Sequence, residues 1–278
     1  MLRRPPHAAL PTSSRAHRCA LCFALALAAC DRRPDWAKPG AGAAGEATIG
    51  GEPLAVPFVA TPPTLDGKLD DAAWANAART AAFVEPGTGA ANDKSPVAAF
   101  ARLAWDDRRL YVGVVVMDDA PVTPFPKNAA DPHLWERSSA VELMIQPGDP
   151  VDNRAYFELQ VDPEGAVFDT RWDDYNRPIT GGPDEATKQF GHLDWSSGME
   201  RAAFVGKGFY SIEFAVPWAS FTAAGPMRVA VPPKPGDVWR LNLYSFRDGQ
   251  RQALAWSPIR GKGNFHKSAQ WGRVRFAK

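Results

Sequence analysis

The sequence predicts an all-β fold: a two-sheet antiparallel β-sandwich of jelly-roll or immunoglobulin-like type, carrying one or two short helices. Three observations predict it. Apolar and polar residues alternate with period two in a succession of short runs. Turn formers such as Asp162-Pro163-Glu164-Gly165 separate those runs. Helical spacing is scarce, and short strands joined by Pro/Gly-rich turns make sandwiches.

In chain order, residues 70–78 have the spacing of a short helix. Residues 99–105 and 110–117 are strand-like and meet at Asp106-Asp107-Arg108-Arg109, which reads as a hairpin turn. Strands are expected at 140–146, 155–161 and 166–172, then at 201–205 and 208–216. One turn of helix is expected over 217–221, and the last strands over 238–246, 253–256 and 272–276.

The alternation separates two faces. Within 140–146, Val141, Leu143 and Ile145 share one face and Glu142, Met144 and Gln146 the other. Within 155–161, Phe157, Leu159 and Val161 oppose Tyr156, Glu158 and Gln160. Within 238–246, Leu241 and Leu243 oppose Arg240, Asn242 and Tyr244. The apolar face belongs to the core. The polar face suits simple solvation, and its planar hydrogen-bonding groups equally suit a ligand with many hydroxyls.

Ahead of these strands, Arg15, His17 and Arg18 precede an apolar run over 20–27 that ends in Leu27-Ala28-Ala29-Cys30. This is the pattern of a secretory signal, too short to span a bilayer. Its end resembles a bacterial lipobox. The resemblance implies that residues 1–29 are removed and that Cys30 carries lipid, leaving the protein exported and lipid-anchored to the bacterial cell envelope. An ordinary signal with an incidental cysteine is the alternative. Residues 30–53, rich in Pro, Gly and Ala, read as a flexible tether, and residues 54–278 as the folded domain. All three cysteines, Cys19, Cys22 and Cys30, lie at or before the cut, so the domain has no disulfide, cysteine zinc site or cysteine nucleophile. Loss of Arg3, Arg4, Arg15 and Arg18 takes the net charge from +1 down by four, to −3, a poor balance for nucleic acid.

Four segments in order carry a resemblance: 63–74 (Pro-Thr-Leu-Asp-Gly-Lys-Leu-Asp-Asp-Ala-Ala-Trp), 102–112, 135–142 (Trp-Glu-Arg-Ser-Ser-Ala-Val-Glu) and 265–274 (Phe-His-Lys-Ser-Ala-Gln-Trp-Gly-Arg-Val). Together they resemble the family 9 carbohydrate-binding modules from about residue 57 onward. The resemblance implies a non-catalytic β-sandwich in which two aromatic side chains clamp a sugar over polar groups. It places the first clamp at Trp135, a base carboxylate at Glu142, and the second clamp at Phe265 beside Asn264. Members of the family carry tryptophan where Phe265 stands and a cation where Glu158 stands, and their spacing from clamp to carboxylate is one residue shorter. Aromatic rings cover the C–H face of a pyranose, and charged acceptors bind its hydroxyls strongly.

The expected carbohydrate-binding residues are therefore Trp135, Glu142, Phe265, Asn264, Glu158, Asn242, Tyr244 and Trp172, the last within the polar and aromatic stretch 169–176. Of the ten tryptophans, Trp74, Trp105, Trp218, Trp239, Trp256 and Trp271 read as packing. The expected partners are an oligo- or polysaccharide and, through the lipid, a membrane; the domain is expected to act as a monomer. No cofactor is expected, although Asp162, Asp169, Asp173 and Asp174 supply the oxygen type that a structural calcium ion uses. Three other readings remain. Met117, Met144 or Met199 with His133, His192 or His266 supplies the axial ligand types of a haem-binding DOMON domain. Glu142 with Glu158 supplies the carboxylate pair of a glycoside hydrolase. The third is a lipoprotein that recruits a protein partner.

Overall fold

The computed structural model describes residues 33–39, 51–92, 94–182, 184, 187–222 and 229–278. The leader, Cys30 and residues 40–50 of the expected tether lie outside the described residues. An eight-stranded sheet contains β1 (Leu54–Pro57), β13 (Gly272–Ala277), β11 (Val238–Phe246), β5 (Ala140–Gln146), β6 (Arg154–Val161), β7 (Val167–Asp174) and β8 (Gly191–His192) in that order, with β12 (Ala253–Ala255) paired to β11. The second sheet runs β2 (Ala78–Arg79), β3 (Ala98–Trp105), β4 (Arg109–Met117), β10 (Phe209–Pro217) and β9 (Glu200–Gly206). Every pairing is antiparallel except β1 with β13, which is parallel. The fold is thus the expected sandwich, and β11 spans the very residues that the alternation marks.

The apolar faces meet between the sheets. Val141, Leu143, Ile145, Phe157, Leu159 and Val161 pack against Leu103, Val112, Val114, Ile212 and Phe214. Full burial of each such side chain contributes about 1.5–3 kcal/mol. Trp105, Trp218 and Trp239 join this layer, while Trp74 on α1 (Ala72–Ala75) sits beneath the outer face of the five-stranded sheet. There its indole donates to Glu213 over 2.8 Å.

The helix expected over 70–78 is confined to Ala72–Ala75, with residues 78–79 in β2, and two larger outcomes also differ from the sequence reading. The polar face of the eight-stranded sheet is not solvated: β5 is buried along its whole length. Residues beyond β4 and the segment following β11 fold over it, placing Leu134, Phe265 and Trp271 in clusters with Ala140, Met144, Tyr156 and Tyr244. The second difference is at the expected tether, because residues 33–39 pack on the domain. Trp36 makes edge contacts with Phe204 and Phe209 at 6.2 and 5.7 Å, Ala37 is fully buried, and Arg79 donates to the Lys38 carbonyl. A tryptophan with an aromatic slot within reach gains more by burial than a solvated linker gains in freedom.

Candidate functional site

Where β6 and β7 pair, the outer face of the eight-stranded sheet opens into a cleft of about 690 Å³. The pairing sets Tyr156 beside Trp172, Glu158 beside Thr170 and Gln160 beside Phe168. Glu158, Thr170, Trp172 and Phe168 line the cleft, while Tyr156 lies beneath it with its ring stacked on Trp172 at 5.7 Å and 4°.

Aromatic side chains close both ends. At one end the single turn α2 (Leu134–Arg137) presents Trp135. His133 stacks on that ring at 4.3 Å and Phe168 meets it edge-on at 4.6 Å. At the other end Tyr175 stacks on His266 at 4.4 Å and accepts a hydrogen bond from Asn264 over 2.6 Å. Gln189, Phe190 and Leu193 complete the rim beside β8.

Asn153 holds the His266 segment in place. Its Nδ2 donates to the His266 carbonyl at 2.8 Å, and its Oδ1 accepts from the Ser268 amide at 2.7 Å. Asparagine is a natural choice there, since the backbone has φ 53° and Asn tolerates that left-handed conformation.

Glu158 accepts from Gln160 Nε2 at 2.8 Å and from the Trp172 indole at 3.1 Å. The same Gln160 nitrogen donates to Glu142 at 2.9 Å, so one amide bridges two carboxyls. Burial pushes Glu158 up to about 7. Burial, and then repulsion from Glu158, hold Glu142 well above the usual carboxylate range. Burial also pushes His266 down to about 3, so its ring is neutral.

Four of the expected residues, Trp135, Glu158, Trp172 and Asn264, line this cleft. The other four stand elsewhere. Asn242 is fully buried, where its side chain accepts from the Ser257 amide at 2.9 Å and donates to the Ser257 carbonyl at 2.8 Å. Tyr244 is fully buried and stacks on Phe265 at 4.0 Å and 1°. Phe265 is only 6% exposed, so both its rotamer and one ring face are committed to packing. Glu142 is sealed under Gln160 and Gln250, which donates to it over 3.2 Å. The physical reason is shared: the segment after β11, which carries Gln250, Ser257 and Phe265, folds back and covers this part of the sheet, burying Glu142, Asn242 and Tyr244 with Phe265 packed inward from it. Among the cleft residues, Tyr175, His266 and Thr170 were not expected to bind sugar. The signal for Tyr175 was present, since it falls within the stretch 169–176.

The possible metal ligands have separate partners. Asp162 accepts from the Glu164 and Ala166 amides, and Asp169 from Ser197. Asp173 pairs with Arg171 and His192, and Asp174 with Arg154. No group of three or more metal-holding side chains occurs among the described residues. Of the methionines suited to haem, Met199 lies in the core between the sheets and Met117 beside the docked segment 33–39, where Arg33 donates to its sulfur.

A wider groove, about 830 Å³, lies against the β3–β4 turn and is lined by Pro62, Pro63, Leu65, Arg108 and Tyr111. Its aromatic lining is Phe58 and Tyr111, and it contains no tryptophan.

Comparison with known proteins agrees with this architecture. A carbohydrate binding module family 9 from Caldicellulosiruptor kristjanssonii, solved with cellotriose, superposes with a TM-score of 0.52 at 14% identity over 81% of this chain and 94% of that one. Its complex with glucose gives 0.50 at 14% over 80% and 95%. A protein from Bacteroides uniformis ATCC 8492, provisionally described as carbohydrate-binding, gives 0.58 at 16% over 81% and 99%. At these identities the likeness is one of fold. No curated protein matches the chain. The family described as Carbohydrate family 9 binding domain-like matches residues 65–278. The sandwich and the family match therefore agree, and the chain belongs to the carbohydrate family 9 binding domain-like proteins.

Proposed function

We propose that the domain binds carbohydrate without catalysis in the cleft between Trp135 and Tyr175. The observation that carries this reading is the pairing of aromatic walls with a hydrogen-bonding floor, Glu158 and Thr170, in one cleft of about 690 Å³. That volume accommodates a short sugar segment. Trp135, Trp172 and Tyr175 supply flat apolar surface for pyranose C–H groups, while Glu158, Asn264 and His266 meet hydroxyls. The relatives solved with cellotriose and glucose support the substrate class. Hydrolysis is not favoured, because a glycosidase needs two carboxyls flanking the scissile bond and Glu142 is sealed beneath the cleft. The lipobox-like Leu27-Ala28-Ala29-Cys30 supports anchoring of this module to the cell envelope through Cys30.

Calorimetric titration against a panel of oligosaccharides that includes cellotriose and glucose tests the reading. Binding is expected in the native protein and is lost in Trp135→Ala, whose thermal unfolding stays close to native. Undiminished affinity in that variant removes the clamp role from Trp135, and a panel without any binder removes the function.

A further inference from the structure

The outer face of the five-stranded sheet is opposite the cleft, and residues 33–39 lie across it. Trp36 fills the slot made by Phe204 and Phe209. Two half-buried arginines stand close to the slot. Arg79 lies 3.6 Å over Phe100, Arg102 is beside it and donates to the Trp74 carbonyl, and Lys68 lies 5.6 Å over Phe204. Of the acids in this region, Asp35 and Asp66 offset Lys38 and Lys68, Asp71 accepts from the Thr64 amide and Glu213 is buried beneath Trp74, which leaves Arg79 and Arg102 as the positive charges beside the slot.

Arg33 follows Cys30 by three residues. Three residues reach at most about 10 Å. A flexible stretch over the whole of 30–53 would instead span roughly 25–30 Å and let the domain turn freely. We propose that residues 33–39 are a clasp that orients the anchored domain. The outer face of the five-stranded sheet then lies against anionic phospholipid headgroups, and the sugar cleft on the opposite face looks away from the membrane. The proposal rests on the lipid anchor at Cys30 proposed above. Basic side chains close to an acyl anchor gain from the negative potential of such a surface.

The full chain, expressed with its leader and purified lipidated, is reconstituted into vesicles of phosphatidylcholine and phosphatidylglycerol whose headgroups carry a nitroxide. A fluorophore is placed on Lys207→Cys, in the turn between β9 and β10, or on Leu193→Cys, at the cleft rim. Quenching at position 207 is expected to exceed that at 193 several-fold. Trp36→Ala is expected to bring the two together, and Trp36→Phe to preserve the contrast. Equal quenching in the lipidated native background overturns the orientation alone. A contrast that survives Trp36→Ala overturns the clasp. A mature chain whose mass shows no lipid on Cys30 overturns the anchor and the orientation with it.

Discussion

The Tyr156 hydroxyl lies 2.7 Å from His266 Nδ1, and this contact decides what the cleft offers a sugar. Burial holds the Tyr156 phenol protonated, so its O–H donates and Nδ1 accepts. The proton of the neutral ring then resides on Nε2, which is 3.9 Å from the Glu158 carboxyl. That gap is too wide for a direct bond and suits one hydroxyl oxygen, which accepts from His266 and donates to Glu158. His266→Ala is accordingly expected to weaken sugar binding by about 0.5–1.5 kcal/mol, the worth of one neutral hydrogen bond. His266→Gln, which keeps a donor, should recover part of the loss. Calorimetry on the three proteins checks the order.

Glu158 makes that affinity depend on pH. Pushed up to about 7, it is mostly a protonated acid at pH 6 and mostly a carboxylate at pH 8. A charged acceptor binds a hydroxyl more strongly than a neutral one, so affinity is expected to rise across this interval. His266, neutral throughout, adds no slope. Glu158→Gln is expected to flatten the profile; an unchanged slope in titrations from pH 6 to 8 would place the titrating group elsewhere.

Fold stability should run in the opposite direction. Burial raises Glu142, Glu158 and Glu213 above their unfolded value. A raised carboxyl contributes stability that is full below the unfolded pKa of about 4.3 and is lost as pH climbs through the folded pKa. His266, pushed down to about 3, contributes an opposite slope, confined below its unfolded pKa of about 6.5. Above that point the native protein is expected to lose stability as pH rises. Glu142→Gln removes one source of the loss, so its melting temperature should gain on that of the native protein from pH 5 to pH 8. Paired thermal melts read this difference directly.

Phe265 and Trp135 should separate cleanly on substitution. Phe265→Ala opens a hole against Tyr244 in a buried cluster and is expected to cost about 3–5 kcal/mol of stability. Phe265→Leu, a milder change, should lower the melting temperature while leaving sugar affinity close to native. Urea unfolding alongside calorimetry distinguishes this from a clamp, which would lose affinity instead.

The strands were legible because short apolar or alternating runs recur between turn formers, and the inward row of β5 and β6 is the one the alternation selects. The fate of the outward row was not. Alternation says which face a side chain takes and nothing about what covers that face. Asn242 and Tyr244 therefore read as accessible, although residues after β11 return to bury them. Phe265 misled for a related reason: glycines at 261 and 263 mark an exposed turn, and the chain dips inward directly after it. Trp36 has its aromatic partners at 204 and 209, far along the chain, so a single tryptophan among Pro and Gly gave no local sign of docking. Trp172 and Tyr175 were within reach of the reading because the strand end that carries them is itself polar and aromatic.

The placement of β13 between β1 and β11 has a consequence in time. β1 takes its ladder partners, from Leu54↔Val274 to Pro57↔Ala277, from residues made after every other strand. The sandwich is thus closed by contacts of very long sequence separation, a topology that goes with slow folding. Its two ends must both be present before the eight-stranded sheet is complete.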